Sequence, residues 1–235
     1  MERLDKILVS QGVGSRREVA KLIRGKCVTV NGETATKPEL KLDPETAQIK
    51  VNGRQINYRE HLYIMMNKPA GVVSATEDRL DDTVLQLLPE ELRRAGLFPA
   101  GRLDKDTEGL LIITDDGKWA HRLISPKSHV YKRYFAQLDG KLTDEGAQRL
   151  EAGIKLRDGT EFLPARVYKA ADDKVFIEIC EGKFHQVKRM FSALGLTVTY
   201  LRRVKIGGLE LDESLALSEC RELTEEEKSA VFVVK

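Results

Sequence analysis

The segment LFPAGRLDKDTEGLLIITDDG, residues 97–117, places a charged turn between two apolar runs. The apolar runs, residues 97–98 and 110–113, are typical of buried strands. Gly101 and Gly109 bracket the turn, and five charged side chains lie between them: Arg102, Asp104, Lys105, Asp106 and Glu108. Because Gly, Asn and Ser are enough to build a loop, this concentration of charge requires an explanation.

Residue spacing alone leaves the role of this turn open. Asp104 and Asp106 are suited to capping backbone N–H groups in a tight turn. A phosphate-binding loop is excluded, because the pattern GxxxxGK(S/T) is absent. A glycosidase-like pair of carboxylates stays open, since residues two apart in an irregular turn have no fixed separation.

Length and composition describe an ordinary globular protein. The 235 residues are 41% hydrophobic and 32% charged, which suits one large domain or a small domain with a medium one. No apolar run approaches the roughly 18 residues of a membrane span, and the charged segment MERLDKILVS is unlike a secretory signal. Cys27, Cys180 and Cys220 form no CxxC pair, which favours free thiols in a reducing cytoplasm over a disulfide framework or a zinc site.

Positive charge is concentrated in the first quarter of the chain. Residues 1–58 hold 11 Lys and Arg against 7 Asp and Glu, a net +4, and the remainder holds 28 against 30, a net −2. Ser15 and Glu18 form a capping box that predicts a helix over residues 16–24. CVTVNGE and QIKVNGR each alternate like a strand and contain Asn-Gly, a strong hairpin signal. We expect a separate module here, made of two short helices and a small sheet.

The segment RLDKILVSQGVGSRREVAKLIRGKCVTVNG, residues 3–32, is similar to the S4 RNA-binding module, and the resemblance extends to residue 58. Helix, basic turn and V-x-V-N-G strand agree in order and spacing. In that family the basic helix and the following loop lie against RNA. The resemblance therefore implies phosphate contacts for Arg16, Arg17, Lys21, Arg24 and Lys26. Such contacts give orientation and salt-dependent affinity without reading bases.

Residues 62–235 are expected to form a second, α+β domain. Apolar runs predict four strands: residues 62–67, 110–114, 134–138 and 175–179. Four helices are predicted: residues 83–94, residues 143–152, a helix from about Phe184 to Gly195, and one that begins at the Thr224/Glu227 capping box. Hairpin-length connections outnumber βαβ spacings, so the sheet should be mixed and largely antiparallel.

AGRLDKDTEGLLIITDDG, residues 100–117, resembles the catalytic motif of the RsuA-type pseudouridine synthases, whose core is G-R-L-D-x-x-T-x-G-L. Three further segments match that family in order and distance: NKPAGVVS (67–74), YKRYFAQL (131–138) and EGKFHQVKRMFSALG (181–195), the last followed by LRRVKIGGL. Together with the S4 module, the resemblance covers essentially the whole chain. It implies an isomerase that acts on RNA.

The resemblance assigns the chemistry to three residues. Pseudouridine formation breaks the C1′–N1 bond of a uridine, turns the base and rejoins it through C5, which requires neither cofactor nor metal. Asp104 would attack the ribose or remove the 2′ proton, and both routes need an ionised carboxylate. Lys188 would pair with Asp104, although its neighbour Arg189 is an alternative partner. Tyr134 would stack on the reacting base.

Further residues of the second domain are expected to contact RNA. By resemblance, Arg102 would enter the RNA stack as the uridine leaves it, which offsets part of the cost of base flipping. Lys68 would lie in a structural turn under the pocket and contact a phosphate, and Arg189 would bind RNA. The remaining charges of the turn are expected to be ordinary loop polarity: Lys105, Asp106 and Glu108.

The partner implied by the resemblance is ribosomal RNA. SPKSHVYKRY, residues 125–134, resembles the small-subunit branch, so we expect 16S rRNA in an assembling small subunit, a cytoplasmic monomer and no membrane contact. Three alternatives stay open: a large-subunit (23S) enzyme of the same family, a non-catalytic rRNA-binding assembly factor, and an RNA N-glycosidase. The assembly factor is disfavoured because Asp104 and Tyr134 are both intact.

Overall fold

The polypeptide divides into two units, and the computed structural model describes residues 1–233. The first unit comprises Met1–Leu62 with Pro89–Leu97, and the second comprises Tyr63–Leu88 with the chain from Phe98 onward. Each unit has a hydrophobic core of its own. Residues 89–97, which the sequence analysis assigned to the second domain, thus belong to the first unit. The domain boundaries inferred from the sequence stay predictions.

Helix Arg16–Arg24 of the first unit begins at the predicted capping box. The Ser15 hydroxyl accepts a hydrogen bond from the Glu18 N–H, and the Glu18 carboxylate accepts one from the Ser15 N–H. These bonds satisfy N–H groups that the start of a helix leaves unpaired. A second helix, Leu4–Ser10, precedes it. The apolar faces of both helices are buried in one core with a small sheet.

This small sheet is antiparallel and has four strands. Their spatial order is Glu33–Thr34, Val28–Val30, Ile49–Val51 and Arg54–Ile56. Asn31 and Asn52 adopt positive φ angles of 51° and 49°, as the first position of a type I′ hairpin turn requires. Both predicted Asn-Gly turns are therefore confirmed. A separate antiparallel pair joins Glu2–Arg3 to Lys41–Leu42.

A mixed nine-stranded sheet forms the second unit. Seven of its strands lie in the order Arg166–Lys169, Lys174–Ile179, Lys132–Leu138, Val198–Ile206, Glu108–Thr114, Tyr63–Lys68 and Cys220–Glu222. Phe98–Pro99 and Leu209–Glu210 are short additions to this sheet. Among the described strands, one pairing is parallel, that of Val198–Ile206 with Glu108–Thr114. The expected α+β class with a largely antiparallel sheet is confirmed.

Four helices accompany this sheet: Gly117–Ile124, Asp144–Ala152, Gln186–Ser192 and Glu225–Ala230. Three of them were predicted, and the capping box of Thr224 and Glu227 is confirmed. The helix Gly117–Ile124 was not expected. Asp116 is the N-cap residue of this helix, and its carboxylate accepts hydrogen bonds from the N–H groups of Lys118 and Trp119.

The helix predicted over residues 83–94 is wrong. The chain there forms a loop with a single 3₁₀ turn, Glu90–Leu92. Pro89 interrupts the segment, since it has no N–H to donate and disfavours a helical conformation at Leu88. Val84 and Leu88 are nevertheless buried. The apolar spacing therefore predicted which side chains are buried, but it did not predict the secondary structure.

Other short elements are a 3₁₀ turn at Pro126–Ser128 and a two-stranded pair of Ile154–Lys155 with Glu161–Phe162. None of the helices within residues 1–233 has the length and apolar character needed to cross a membrane.

The charged turn is positioned by a close approach of two strands. At Gly109, φ is +100°, and a Cβ atom would lie 2.2 Å from the carbonyl oxygen of Arg203 on the parallel neighbour strand. Only glycine fits this position, because it has no Cβ and tolerates a positive φ. The strand of Arg203 is also paired, along its other edge, with strand Lys132–Leu138, where Tyr134 lies opposite Arg203. One face of the sheet therefore brings the turn, Arg203 and Tyr134 to the same cavity.

Candidate active site

Asp104 lies in the wall of a cavity of about 820 Å³ within the second unit. Five segments line this cavity: residues 73–78, 99–107, 123–134, 179–187 and 201–206. Its volume falls in the range of roughly 300–1,000 Å³ that is typical of small-molecule sites. The cavity thus has room for a ligand of the size of a nucleotide.

Lys68 stabilises the charged turn through hydrogen bonds to backbone carbonyl oxygens. Its side chain is fully buried, and Nζ donates to the carbonyl oxygens of Pro69 and Thr107 at 2.9 Å each. It also lies 3.2 Å from the carbonyl of Asp104 and 3.4 Å from that of Lys105. Burial lowers the pKa of Lys68 to about 8, against the opposing influence of nearby carboxylates. The expected phosphate contact of Lys68 is therefore contradicted, because its ammonium faces backbone carbonyls and not solvent.

Lys188 binds two carboxylates of the turn. Its Nζ lies 3.3 Å from Asp104 Oδ2 and 2.5 Å from Asp106 Oδ1. The hydrogen bond from Lys188 is the main reason that the pKa of Asp106 is below its usual value. Asp106 thus belongs to an ion cluster with Lys188 and Asp104, a contact that the sequence analysis did not anticipate. The sequence of the turn alone does not show that Asp104 and Asp106 both contact Lys188, because that lysine is distant in sequence.

His185 is a member of the cluster that sequence reasoning did not select. It precedes the helix Gln186–Ser192 with a φ of 47°, and its Nε2 lies 3.7 Å from Asp104 Oδ1. The ring of Phe184 stacks on it at 3.8 Å, although Phe184 is 67% exposed. The left-handed backbone at His185 turns this side chain toward Asp104, which helix periodicity does not reveal.

Arg189 points away from Asp104. Its Nη2 lies 2.5 Å from Asp158 Oδ2 and 3.1 Å from the Thr160 hydroxyl, and its guanidinium lies over the ring of Phe162. The alternative pairing of Arg189 with Asp104 is therefore contradicted. The expected RNA contact of Arg189 stays a prediction.

Tyr134 and Arg203 form the interior of the cavity. Both are buried, and Arg203 Nη1 lies 3.4 Å from the Tyr134 hydroxyl. Arg203 Nε donates to the carbonyl of Leu110 at 2.7 Å, which ties it to the neighbouring strand. The strand of Arg203 also carries Arg202 and Lys205, so the sequence alone does not distinguish the buried arginine from its basic neighbours. Arg102, by contrast, lies exposed in the cavity lining.

The predicted RNA-binding residues of the first unit share an exposed position. Arg16, Arg17, Lys21 and Arg24 lie on one helix, and Lys26 follows it with a φ of 60°. All five side chains are exposed. Within residues 1–233, none of them forms an ion pair with a carboxylate. Their charge is available to an external anion such as a phosphate.

Comparisons with known proteins agree with this arrangement. Residues 62–193 match a family described as RNA pseudouridylate synthase, and residues 2–47 match the S4 domain. An uncharacterized RNA pseudouridine synthase of Bacillus subtilis (strain 168) is 46% identical over 229 residues, with 96% of each chain covered. The ribosomal small subunit pseudouridine synthase A of Vibrio cholerae is 43% identical over 231 residues, which cover 98% of this chain and 99% of that one.

A solved structure extends the comparison to the fold. The crystal structure of a pseudouridylate synthase matches with a TM-score of 0.69 and 37% sequence identity. The match covers 98% of this chain and 100% of the other. Both units of the fold are therefore included in the likeness.

Proposed function

Because the chain belongs to the RNA pseudouridylate synthase family, we propose that it converts one uridine of 16S ribosomal RNA to pseudouridine, with Asp104 as the catalytic carboxylate. One observation carries the assignment of Asp104: the carboxylate lines a cavity large enough for a nucleotide and lies 3.3 Å from a cation, Lys188. The small-subunit substrate is supported by relatives named ribosomal small subunit pseudouridine synthase A, which match over nearly the full length.

The chemistry begins with an ionised Asp104. Its carboxylate either attacks C1′ of the ribose or removes the 2′ proton, and the C1′–N1 electron pair leaves with the base. After the base has turned, C5 bonds to C1′, the C5 proton is lost and N1 gains one, so the product is an isomer of the substrate. No electrons are gained or lost overall. We therefore propose catalysis without a redox cofactor or a metal.

Lys188 acts on Asp104 through charge. Its ammonium lies 3.3 Å from the Asp104 carboxylate and places an opposite charge beside it. Because Lys188 also binds Asp106, its charge is divided between two carboxylates. Tyr134 supplies a ring on which the reacting base stacks, and its hydroxyl lies within the cavity.

Entry of the uridine requires base flipping, which costs a few kcal/mol. Arg102 lies exposed in the cavity lining, so it can reach RNA outside. We propose that its guanidinium occupies the space that the flipped base leaves in the stack. Five exposed cations of the first unit, Arg16, Arg17, Lys21, Arg24 and Lys26, would hold the surrounding RNA through its phosphates.

The proposed setting follows from the substrate. We propose that the enzyme works as a monomer in the cytoplasm. We also propose that it acts on an assembling small subunit, because the target uridine must be accessible before the RNA is fully packed. The S4 domain match supports RNA as the partner.

Carbodiimide mapping of rRNA tests this function directly. Cells that lack the protein should lose one pseudouridine signal in 16S rRNA, and the signal should return with the wild-type gene but not with Asp104→Asn. Loss of a 23S signal instead would establish the large-subunit alternative. An unchanged pattern in both rRNAs would contradict the proposal. RNA mass separates isomerisation, which leaves it unchanged, from N-glycosidase action, which removes a base.

A further inference from the structure

Two buried cations of the cavity lack an acidic partner in the part of the chain that the structure describes. Arg203 is 4% exposed and Lys132 is 9% exposed, and both belong to the cavity lining. In the Arg203 guanidinium, Nε donates to the Leu110 carbonyl at 2.7 Å. Nη1 has two long contacts of 3.4 Å, to the Arg102 carbonyl and the Tyr134 hydroxyl. Nη2 is buried and has no hydrogen-bond partner within residues 1–233.

The nearby carboxylates are already engaged elsewhere. Asp104 faces Lys188, and buried Glu181 binds Lys183 at 3.0 Å and Gln186 at 2.8 Å. Burial, with a smaller contribution from repulsion by Arg203, lowers the pKa of Lys132 to about 8. An unpaired buried cation is costly to a fold. A structural role explains the bond from Arg203 Nε but leaves Nη2 and the Lys132 ammonium unexplained.

Arg203 and Lys132 are grouped around the ring of Tyr134. Tyr134 and Lys132 lie on the same strand two residues apart, and Arg203 is the cross-strand partner of Tyr134. All three side chains are buried on one face of the sheet. A base that stacks on the Tyr134 ring would therefore lie on the face of the sheet that carries both cations, and the Arg203 guanidinium is 5.9 Å from the centre of that ring.

The proposed reaction produces an anion at this place. When the C1′–N1 bond breaks, its electron pair stays on the base, and the negative charge spreads over N1, O2 and O4. The valence at C1′ is completed either by a bond from Asp104 or by a C1′–C2′ double bond after the 2′ proton has moved to Asp104. In both routes the departing base is a planar uracil monoanion.

We propose that Arg203 and Lys132 form a subsite for this uracil anion, which rests on the proposed pseudouridine synthase function. The planar guanidinium donates to adjacent base atoms through Nη1 and Nη2, and the ammonium adds a second positive charge. A buried site of this kind stabilises charge that develops only as the bond breaks. The subsite also retains the free base while it turns, which separates isomerisation from base release.

Single-turnover kinetics on the full chain test the subsite. Arg203→Met and Lys132→Met should each slow pseudouridine formation, Arg203→Met by about 10²–10³-fold, while the Kd for RNA stays within about twofold. Arg203→Lys should recover part of the rate, because it restores a cation without the two-pronged geometry. Lys205→Met is the matched control: it lies on the same strand, but Lys205 is bound to Glu210 at 3.0 Å outside this cavity.

A pair of small inhibitors separates a charge-binding role from a structural one. Barbiturate is a planar pyrimidine that is anionic at neutral pH, and uracil is its neutral counterpart. Barbiturate should inhibit the wild-type enzyme and Lys205→Met more strongly than uracil does, and Arg203→Met and Lys132→Met should lose this preference. Arg203→Met is the more severe change to the structure, because it removes the bond to Leu110 together with the cation. Lys132→Met removes a cation and leaves that bond intact.

The outcomes that overturn the subsite are specific. Wild-type rates in both Met variants would exclude it, and so would a loss expressed only as weaker RNA binding. An unchanged preference for barbiturate over uracil in both variants would also exclude it. Absence of pseudouridine formation by the wild-type enzyme would instead remove the proposed function and the subsite together.

Discussion

Lys188 lies closer to Asp106 than to Asp104. The distances from its Nζ are 2.5 Å to Asp106 Oδ1 and 3.3 Å to Asp104 Oδ2. The cation that serves the proposed catalytic carboxylate is thus shared with a second carboxylate two residues away. Through Lys188, Asp106 is therefore joined in one ion cluster to the proposed catalytic carboxylate.

Asp104→Asn tests the catalytic carboxylate itself. The amide retains size and hydrogen-bonding capacity but is neither a nucleophile nor a base, so single-turnover pseudouridine formation should fall by at least about 10⁴-fold. RNA affinity should be maintained, because the proposed phosphate contacts are elsewhere. Appreciable conversion by a folded Asp104→Asn protein would show that another group performs the chemistry.

Asp106→Asn has a stability prediction whose sign follows from the lowered pKa of Asp106. A carboxyl group with a folded pKa below its unfolded value of 3.8 adds stability above that value, and the contribution is lost as pH falls through the folded pKa. Asp106→Asn should therefore be slightly less stable than wild type at pH 7 and equally stable in strong acid. Because Asp106 is 72% exposed, the difference should be below about 1 kcal/mol in urea denaturation.

Lys188→Met tests which cation pairs with Asp104. Removal of the charge should slow single-turnover pseudouridine formation, because the Asp104 carboxylate loses the cation that lies 3.3 Å away. Lys188→Arg should have a mild effect on this rate, because it keeps the positive charge. Arg189→Met is the neighbouring control and should leave the rate near that of the wild type, because Arg189 binds Asp158. A rate that falls in Arg189→Met and not in Lys188→Met would reverse the assignment.

Lys68→Met tests the support beneath the turn. The substitution leaves buried carbonyl oxygens without their donor, so the free energy of unfolding should fall by at least about 2 kcal/mol. The chemical step should slow as well, since the carbonyl of Asp104 is one of those acceptors. Lys105→Met is the control: it removes an exposed pair with Asp81 and should cost less than about 1 kcal/mol. Equal losses in the two variants would refute the supporting role.

The exposed basic helix predicts the salt dependence of RNA binding. Simultaneous Arg17→Gln, Lys21→Gln and Arg24→Gln should reduce the log–log salt slope by roughly 2, at about 0.7–0.9 per lost phosphate contact. Substitutions suit this test better than deletion, because residues 89–97 pack with the first unit. Lys41→Gln with Lys50→Gln controls for charge at exposed positions off the helix. An unchanged slope in the triple variant would exclude the helix as an RNA contact.

The sequence by itself determined what depends on neighbouring residues. The capping boxes at Ser15 and Thr224 and the hairpin turns at Asn31 and Asn52 are present as predicted. Each is a local arrangement in which a few consecutive residues satisfy one another's backbone groups. The motif around Asp104 likewise identified the family, because it lies in one short segment. The helix predicted over residues 83–94 failed where a proline overrode apolar spacing.

Only the tertiary structure decided how the site is assembled. Asp106 and Lys188 are 82 positions apart, and Arg203 and Tyr134 are 69 apart. Lys68 is buried beneath a turn that begins more than 30 residues later. A contact between distant residues depends on which strands pair and which faces they share, and that outcome is set by packing over the whole unit. The chemistry expected of a single residue is therefore visible in the sequence, whereas the partners that tune that residue are created by the fold.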